Sequence, residues 1–197
     1  MFIDSAWWWW LEPVSWAVDL LCSVLLALDG ALTRLEAEHP ERQIYVFGRA
    51  GYTGRPGSAA YLNAAFPGDE TNDWSKATGL PSIIPDMLSR SIGGAYGFTT
   101  DIAGYADFKF APATKELYAR WSEAAALTPF FRVHNGPLTG PRMPWSYDAE
   151  TEALWTEMAK LHQSFAPLFL SAWEEARATG MPVIRPLWLV DPASATT

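Results

Sequence analysis

Three short polar clusters, each beside an apolar or glycine-rich run, constrain most strongly what this chain can fold into. They lie at residues 48–54, 66–74 and 100–105. In a barrel of parallel strands the carboxyl ends of all strands meet at one face, where the loops surround a shared pocket. The pattern therefore predicts βα units whose loops converge on one site.

Apolar residues recur at strand and helix spacing in lengths that suit such units. The predicted strands are at 44–47, 64–66 and 130–134, with a closing strand at 181–190. The predicted helices are at 79–91, from near residue 112 or 114, and from 154 to 176 with Gly180 as the cap of the last one. The chain of 197 residues is shorter than the roughly 250 of a typical complete (β/α)8 barrel. The predicted fold class is therefore α/β, as part of such a barrel.

Charge and composition exclude several classes of function. The formal net charge of -8 repels phosphate backbones, so we expect no nucleic acid partner. Cys22 is the only cysteine, which excludes an internal disulfide and favours a cytoplasmic location. Neither a phosphate-binding glycine motif nor paired Cys/His spacing occurs, so we expect no cofactor and no bound metal.

The N-terminal segment is strongly apolar from residue 7 to residue 28 and includes four consecutive tryptophans at 7–10. No basic region precedes it, as a signal peptide would require. Glu12 and Asp19 interrupt it, and each acidic residue costs about 2.5–3.5 kcal/mol at bilayer depth. A buried helix over residues 14–37 is therefore favoured over a membrane span, within an N-terminal helical segment of residues 1–39.

One acidic cluster has the character of a catalytic acid. A general acid must hold a proton near neutral pH, so it stands where desolvation or a like charge raises its pKa. Asp69 stands between Phe66 and Trp74 in the sequence, with Glu70 and Asp73 as further negative charges that would raise its pKa. From the residues alone, such a cluster is more often a turn or a helix cap.

Several segments of this chain, in order, resemble glycoside hydrolase family 31, the family of α-glucosidases and α-xylosidases. The similarity extends from about residue 40 to residue 190 and includes Gly48-Arg49-Ala50-Gly51-Tyr52-Thr53-Gly54, Phe66-Pro67-Gly68-Asp69-Glu70-Thr71-Asn72-Asp73-Trp74, Thr100-Asp101-Ile102-Ala103-Gly104-Tyr105 and Phe130-Phe131-Arg132-Val133-His134. The resemblance implies retaining hydrolysis of terminal α-linked sugars.

The resemblance also implies roles for individual residues. Asp69 would be the general acid/base, and the residues implied to bind the sugar are Arg49, Phe66, Trp74, Asp101, Ile102, Tyr105 and His134. Structural alternatives stay open: Arg49 as an ion-pair partner of Asp101, His134 as a satisfied structural histidine and Trp74 as a packing residue. Phe66 stands where the family usually has Trp, which leaves the sugar preference open.

The chain departs from the family at the nucleophile, an Asp in an apolar-Asp-Phe-Gly-Glu type motif on an earlier strand. No such motif occurs here, and Phe2-Ile3-Asp4-Ser5 is a faint echo. The resemblance thus implies the C-terminal half of the barrel over residues 40–180, followed by a β segment and tail over residues 181–197. Exposed sheet edges would favour a second chain or another copy as partner.

Three hypotheses of function follow. The first is a truncated or split α-glucosidase-like hydrolase that acts on a carbohydrate substrate. The second is a non-catalytic carbohydrate-binding pseudoenzyme fragment, which would bind sugar without turnover. The third is a membrane-associated or non-functional gene fragment, in which the apolar N-terminal segment dominates the behaviour of the chain.

Overall fold

The computed structural model describes residues 30–42, 47–48, 64–65, 68–95, 97–106, 113–134 and 141–193. The chain divides into two compact units, Met1–Val46 and Phe47–Thr197. In the first, residues 30–38 form helix α1, with Leu35 42% exposed. The rest of the buried helix predicted over 14–37 lies outside the described residues. None of the helices in the described part of the chain has the length and apolar character that crossing a membrane requires.

The second unit alternates strands and helices. Its elements are β1 (Phe47–Gly48), β2 (Ala64–Ala65), α2 (Ile83–Ile92), β3 (Thr99–Asp101), α3 (Lys115–Ala126), β4 (Phe130–Arg132), α4 (Ala149–Ser164), α5 (Ala166–Thr179) and α6 (Leu187–Val190). Single 3-10 turns at Leu80–Ser82 and Pro144–Ser146 precede α2 and α4. This order confirms the α/β class.

The described strands lie side by side in chain order, and all of their pairings are parallel. Phe47 of β1 pairs with Ala64 of β2, and Thr99 of β3 pairs with Phe130 of β4. A parallel bridge from Ala65 to Phe98 joins the two pairs. The carboxyl ends of β2, β3 and β4 therefore meet at one edge, which places the loops after them next to each other.

Helix α3 holds the sheet through one buried face. Thr114 caps it by accepting a hydrogen bond at 3.3 Å from the Leu117 amide. Buried side chains then recur at helical spacing and pack on residues that follow β3; the cluster contains Leu117, Tyr118, Trp121, Ala125, Ile102 and Ala103. Because cores are close-packed, α3 fixes the position of β3 and of the loop that follows it.

Two predictions near the C-terminus are wrong. The single helix expected over 154–176 is two helices that meet at Phe165, because Pro167 starts α5 and cannot continue α4. The closing strand expected over 181–190 is absent, and its last residues form α6. Pro182 and Pro186 lack the amide donors of a strand, and no described strand pairs with this segment. Gly180, with φ of +79°, caps α5 as predicted.

Candidate active site

The loop after β2 presents one carboxyl group outward and the next one inward. Gly68 has φ of +123°, in a region that other residues avoid, and it directly precedes Asp69. Asp69 is exposed, whereas Glu70 is buried with 6% of its surface exposed. Asp69 can therefore reach a ligand, whereas Glu70 belongs to the protein interior.

Asp73 builds the turn that closes this loop. Its Oδ1 accepts hydrogen bonds from the Thr71 hydroxyl at 2.8 Å and from the Ser75 amide at 2.9 Å. A side chain at Gly79 would come within 2.3 Å of the Asp73 carbonyl oxygen, so the turn is tightly packed. Trp74 is 49% exposed, which leaves its ring accessible. Asp73 therefore has the turn-forming role, and the sugar-binding role of Trp74 stays a prediction.

Glu70 begins a buried polar network that extends to α3. The Thr100 hydroxyl donates to Glu70 Oε1 at 2.8 Å, and the Trp121 indole nitrogen donates to Thr100 Oγ1 at 3.0 Å. Thr100 and Trp121 are fully buried. Burial raises the pKa of the Glu70 carboxyl to about 8, against the hydrogen bond from Thr100, which lowers it. The environment of Glu70 in the folded protein therefore favours the protonated form of its carboxyl group.

Asp101 lies at the carboxyl end of β3, with a basic partner at each of its two oxygens. Arg132 Nε donates to Oδ1 at 2.6 Å, and His134 Nδ1 lies 3.3 Å from Oδ2. The Asp101 side chain is 0% exposed, whereas those of Arg132 and His134 are 23% and 42% exposed. The ring of Tyr105 stacks on that of His134 at 4.6 Å. The exposed edge of this cluster thus consists of donors and aromatic surface.

A buried arginine shapes the loop between Asp101 and Tyr105. Ala103 and Gly104 both have positive φ, at +69° and +71°. Arg142, 1% exposed, donates to the carbonyl oxygens of Ala103 and Gly104 and, at 3.0 Å, to that of Tyr105. Its guanidinium therefore holds three successive carbonyl groups of a left-handed turn.

The structure brings together only some of the residues predicted for the site. Asp101, Tyr105 and His134 are in direct contact as a group. Ile102 is 0% exposed within the core cluster, so it packs beneath the loop and does not form an open wall for a sugar. Arg49 and Phe66 lie outside the described residues. Asp101 is enclosed by protein groups, so its predicted contact with a sugar hydroxyl stays a prediction.

Sequence reasoning missed the roles of Glu70 and Arg132. Arg132 stands two positions before His134 in an extended segment, where alternate side chains share a face, and this spacing was an available signal. No comparable signal marks Glu70. Its burial depends on Thr100, which lies thirty residues later in the chain.

A cavity of about 480 Å³ lies between the loop after β2 and helix α2. Both signs of charge line it, from Asp69, Lys76, Asp86 and Arg90, and the Glu70 carboxyl group is also part of its wall. Asp101 and His134 are not part of its lining. Asp69 thus lines this cavity, and it follows the carboxyl end of β2 by four residues.

Comparison with a family profile and with curated proteins points to one family. A profile of the TIM-barrel domain of glycosyl hydrolases family 31 matches residues 24–172. The sulfoquinovosidase of Escherichia coli is 35% identical over 147 residues, which are 75% of this chain and 21% of the relative. A probable glucan 1,3-alpha-glucosidase of Oryza sativa is 34% identical over 169 residues, 86% of this chain and 17% of the relative. The chain thus spans about a fifth of the length of these relatives.

Solved structures agree with these sequence matches. A family 31 sulfoquinovosidase from E. rectale, in complex with an aza-sugar inhibitor, superposes with a TM-score of 0.68 at 29% identity over 78% of this chain and 23% of that one. A Flavobacterium johnsoniae family 31 dextranase complexed with glucose gives 0.66 at 28% identity over 82% of this chain and 20% of that one. The chain belongs to glycosyl hydrolases family 31, with the α/β architecture of its TIM-barrel domain.

Proposed function

We propose that this chain supplies the acid/base and sugar-binding side of a retaining α-glycosidase site, with Asp69 as the proton donor. The observation that carries the proposal is the exposure of Asp69 in the loop after β2. The next residue, Glu70, accepts a backbone hydrogen bond from Tyr105, which ties this loop to the loop after β3. The adjoining strand ends hold Asp101 and His134. The family's α-glucosidase members support an α-linked substrate.

In this mechanism Asp69 acts twice. In the first step its carboxyl proton moves to the glycosidic oxygen as the bond from that oxygen to the anomeric carbon breaks and a nucleophilic carboxylate attacks that carbon. In the second step the Asp69 carboxylate takes a proton from water, whose oxygen displaces the nucleophile. Asp69 is open to a ligand, as both steps require.

His134 and Arg132 would hold the sugar beside Asp69. Asp101 occupies the Nδ1 side of the His134 ring, which leaves Nε2 for a sugar hydroxyl. The ring of Tyr105 supports the imidazole from one face. Asp101 would therefore act on the sugar mainly through the two basic side chains that it orients.

The nucleophile would come from outside these 197 residues, as on a second polypeptide that carries the missing barrel half. No apolar-Asp-Phe-Gly-Glu type motif occurs in the 197 residues. A retaining site needs the second carboxylate about 5–5.5 Å from the acid. Further parallel strands beside those described would bring it to the same edge as Asp69.

The alternative function is carbohydrate binding without turnover. The contacts among Asp101, Arg132 and His134 lie within this chain and do not depend on a nucleophile. This cluster could therefore bind a sugar where no glycosyl intermediate can form. The sulfoquinovosidase relatives make an α-sulfoquinovoside a second ligand to test beside an α-glucoside.

The test uses phenyl α-glucoside with the purified chain, in the absence and presence of azide. Phenoxide leaves poorly without a proton, so the reaction reports on the acid. Azide would attack the anomeric carbon from the face opposite the phenoxy group as the bond from that carbon to the phenolic oxygen breaks, giving β-glucosyl azide, while the departing phenolate takes the Asp69 proton and leaves as phenol. We expect product only with azide, and its loss in Asp69→Asn.

Two controls make this test specific. Asp86→Asn removes a carboxylate from the same cavity, away from the strand ends, and should retain azide-dependent product. Arg49→Ala removes a predicted sugar contact and should weaken the reaction. Because this loss comes from sugar binding and not from proton donation, it should be the same for aryl glucosides whose phenols differ in acidity. Hydrolysis without azide would place a nucleophile within this chain or its oligomer. Sugar binding without any azide product, unchanged in Asp69→Asn, would establish the carbohydrate-binding alternative.

A further inference from the structure

We propose that Glu70 is a positioning residue for Asp69, because its side chain and its carbonyl group fix the acid/base loop on β3 and on the loop that follows β3. The inference rests on the proposed role of Asp69 as proton donor. Glu70 is the residue next to Asp69, so any displacement of its backbone moves the acid directly. Small displacements of a catalytic group are costly to the rate.

The backbone of Glu70 joins the two loops. Its carbonyl oxygen accepts hydrogen bonds at 2.8 Å from the amides of both Tyr105 and Ala106. A side chain at Gly104 would approach that same oxygen to 2.8 Å, and Gly104 has φ of +71°. The loops can therefore touch only because Gly104 has no side chain.

The side chain of Glu70 ties the same point to the protein core. Through Thr100 it reaches the indole of Trp121, whose ring packs in the core cluster on α3. All three side chains are buried. Because packed cores resist deformation, this chain of hydrogen bonds supports the loop rigidly from β3, thirty residues away, and from α3 beyond it.

The surroundings of Glu70 keep this anchor uncharged. Asp101 on β3 and Asp86 on α2 face it as negative groups, and both raise its pKa in addition to burial. The other charged groups around the cavity are Asp69 and Lys76 on the loop and Arg90 on α2. Glu70 Oε2 has no hydrogen-bond partner in the described part of the chain. A negative charge on a buried oxygen that no donor reaches is unfavourable, so the position of Oε2 favours the protonated carboxyl group.

The first test follows the Trp121 indole N–H resonance by NMR as pH is raised, with Trp121→Phe to identify the signal. In the wild type we expect a shift with a midpoint near the Glu70 pKa of about 8. Glu70→Gln keeps an acceptor for Thr100 and cannot ionise, so its signal should stay unchanged through that range. A wild-type signal that does not change with pH would contradict the claim that the Glu70 side chain is uncharged at neutral pH.

The second test measures amide hydrogen exchange at Tyr105 and Ala106. We expect Glu70→Ala to speed the exchange of both amides by about tenfold, because it removes the hydrogen bond between the Thr100 hydroxyl and the Glu70 side chain. Glu70→Gln keeps an acceptor and should restore the slow exchange. Thr100→Val removes the donor to Glu70 without changing Glu70, and it should speed the same exchange if Glu70→Ala does not fold. Unchanged exchange in a folded variant would contradict the proposal.

Activity then separates this inference from the proposed function. In the azide-dependent reaction, Glu70→Ala should lower kcat by about tenfold or more with KM little changed, and Glu70→Gln should restore it. Unchanged kcat in Glu70→Ala would refute the positioning role. Normal turnover in Asp69→Asn would refute the proton-donor role instead, while hydrogen exchange at Tyr105 and Ala106 would still decide whether Glu70 anchors the loop.

Discussion

Asp101 and Arg132 stand opposite each other in the parallel pairing of β3 with β4, and Arg132 donates to the Asp101 carboxylate at 2.6 Å. This carboxylate is fully buried, and a buried charge is tolerated only beside compensating partners. Its second oxygen faces His134. One buried group thus connects the pairing of two strands with the orientation of the candidate sugar-binding histidine.

His134→Ala and Arg132→Ala should therefore separate binding from stability. His134→Ala removes a partly exposed ring and should weaken binding of an aza-sugar inhibitor about tenfold, while changing the free energy of unfolding by about 1 kcal/mol or less. Arg132→Ala leaves Asp101 buried without its guanidinium and should cost about 3–5 kcal/mol. Calorimetric titration and urea unfolding measure the two quantities.

Two comparisons check this assignment. Arg132→Lys keeps the positive charge but loses the planar donor geometry, so it should recover only part of the stability lost in Arg132→Ala. Equal destabilisation by His134→Ala and Arg132→Ala, with unchanged inhibitor binding, would make His134 a structural residue.

The sequence predicted much of the fold because its strands, turns and helix caps are local signals. Gly180 occupies the predicted cap position at the end of α5, and α3 begins directly after Thr114, one of the two starts that the sequence predicted. The break at Phe165 was also readable, since Pro167 cannot lie inside a continuous helix. The absence of the strand predicted over 181–190 was readable only in part. Pro182 and Pro186 lack amide donors, but whether another strand pairs with the segment is not a local signal.

The sequence motifs predicted which residues belong to the candidate site, but not the directions in which their side chains point. Asp69 and Glu70 are adjacent acids, and nothing in the motif says which one turns inward. That choice depends on the backbone at Gly68 and on Thr100, a residue on another strand. Likewise, the enclosure of Asp101 follows from Arg132 and His134, which only the pairing of β3 with β4 brings beside it.

Arg142→Ala should destabilise the protein strongly. The side chain is 1% exposed, and its guanidinium satisfies carbonyl groups of Ala103, Gly104 and Tyr105. Removing it leaves buried acceptors without these donors and opens a void, at a cost of roughly 3 kcal/mol or more. Urea unfolding measures the loss.

Arg142→Lys serves as the matched control because it keeps the charge but cannot reach three carbonyl groups with a planar fork. It should lie between the wild type and Arg142→Ala in stability. A loss of less than about 1 kcal/mol in Arg142→Ala would show that the turn at Ala103 and Gly104 holds without the arginine.

Asp148 should give the protein an acid-dependent component of stability. Its Oδ1 caps α4 by accepting from the Thr151 amide at 2.8 Å, and its Oδ2 accepts from Lys115 of α3 at 2.9 Å. The hydrogen bond from Lys115, followed by those from Thr151, lowers the Asp148 pKa from 3.8 to about 2. The folded state therefore favours the charged form of Asp148, so this contribution to stability is present above about pH 4 and is lost as pH falls towards 2.

At pH 7 we expect the melting temperature to fall from wild type to Asp148→Asn, which keeps a capping oxygen, and further to Asp148→Ala. The difference between wild type and Asp148→Asn should narrow on acidification and in high salt, because the exposed Lys115 pair is screened. Thermal unfolding monitored by circular dichroism measures all three proteins, and equal melting temperatures at pH 7 would show that neither the cap nor the lysine pair stabilises the contact between α3 and α4.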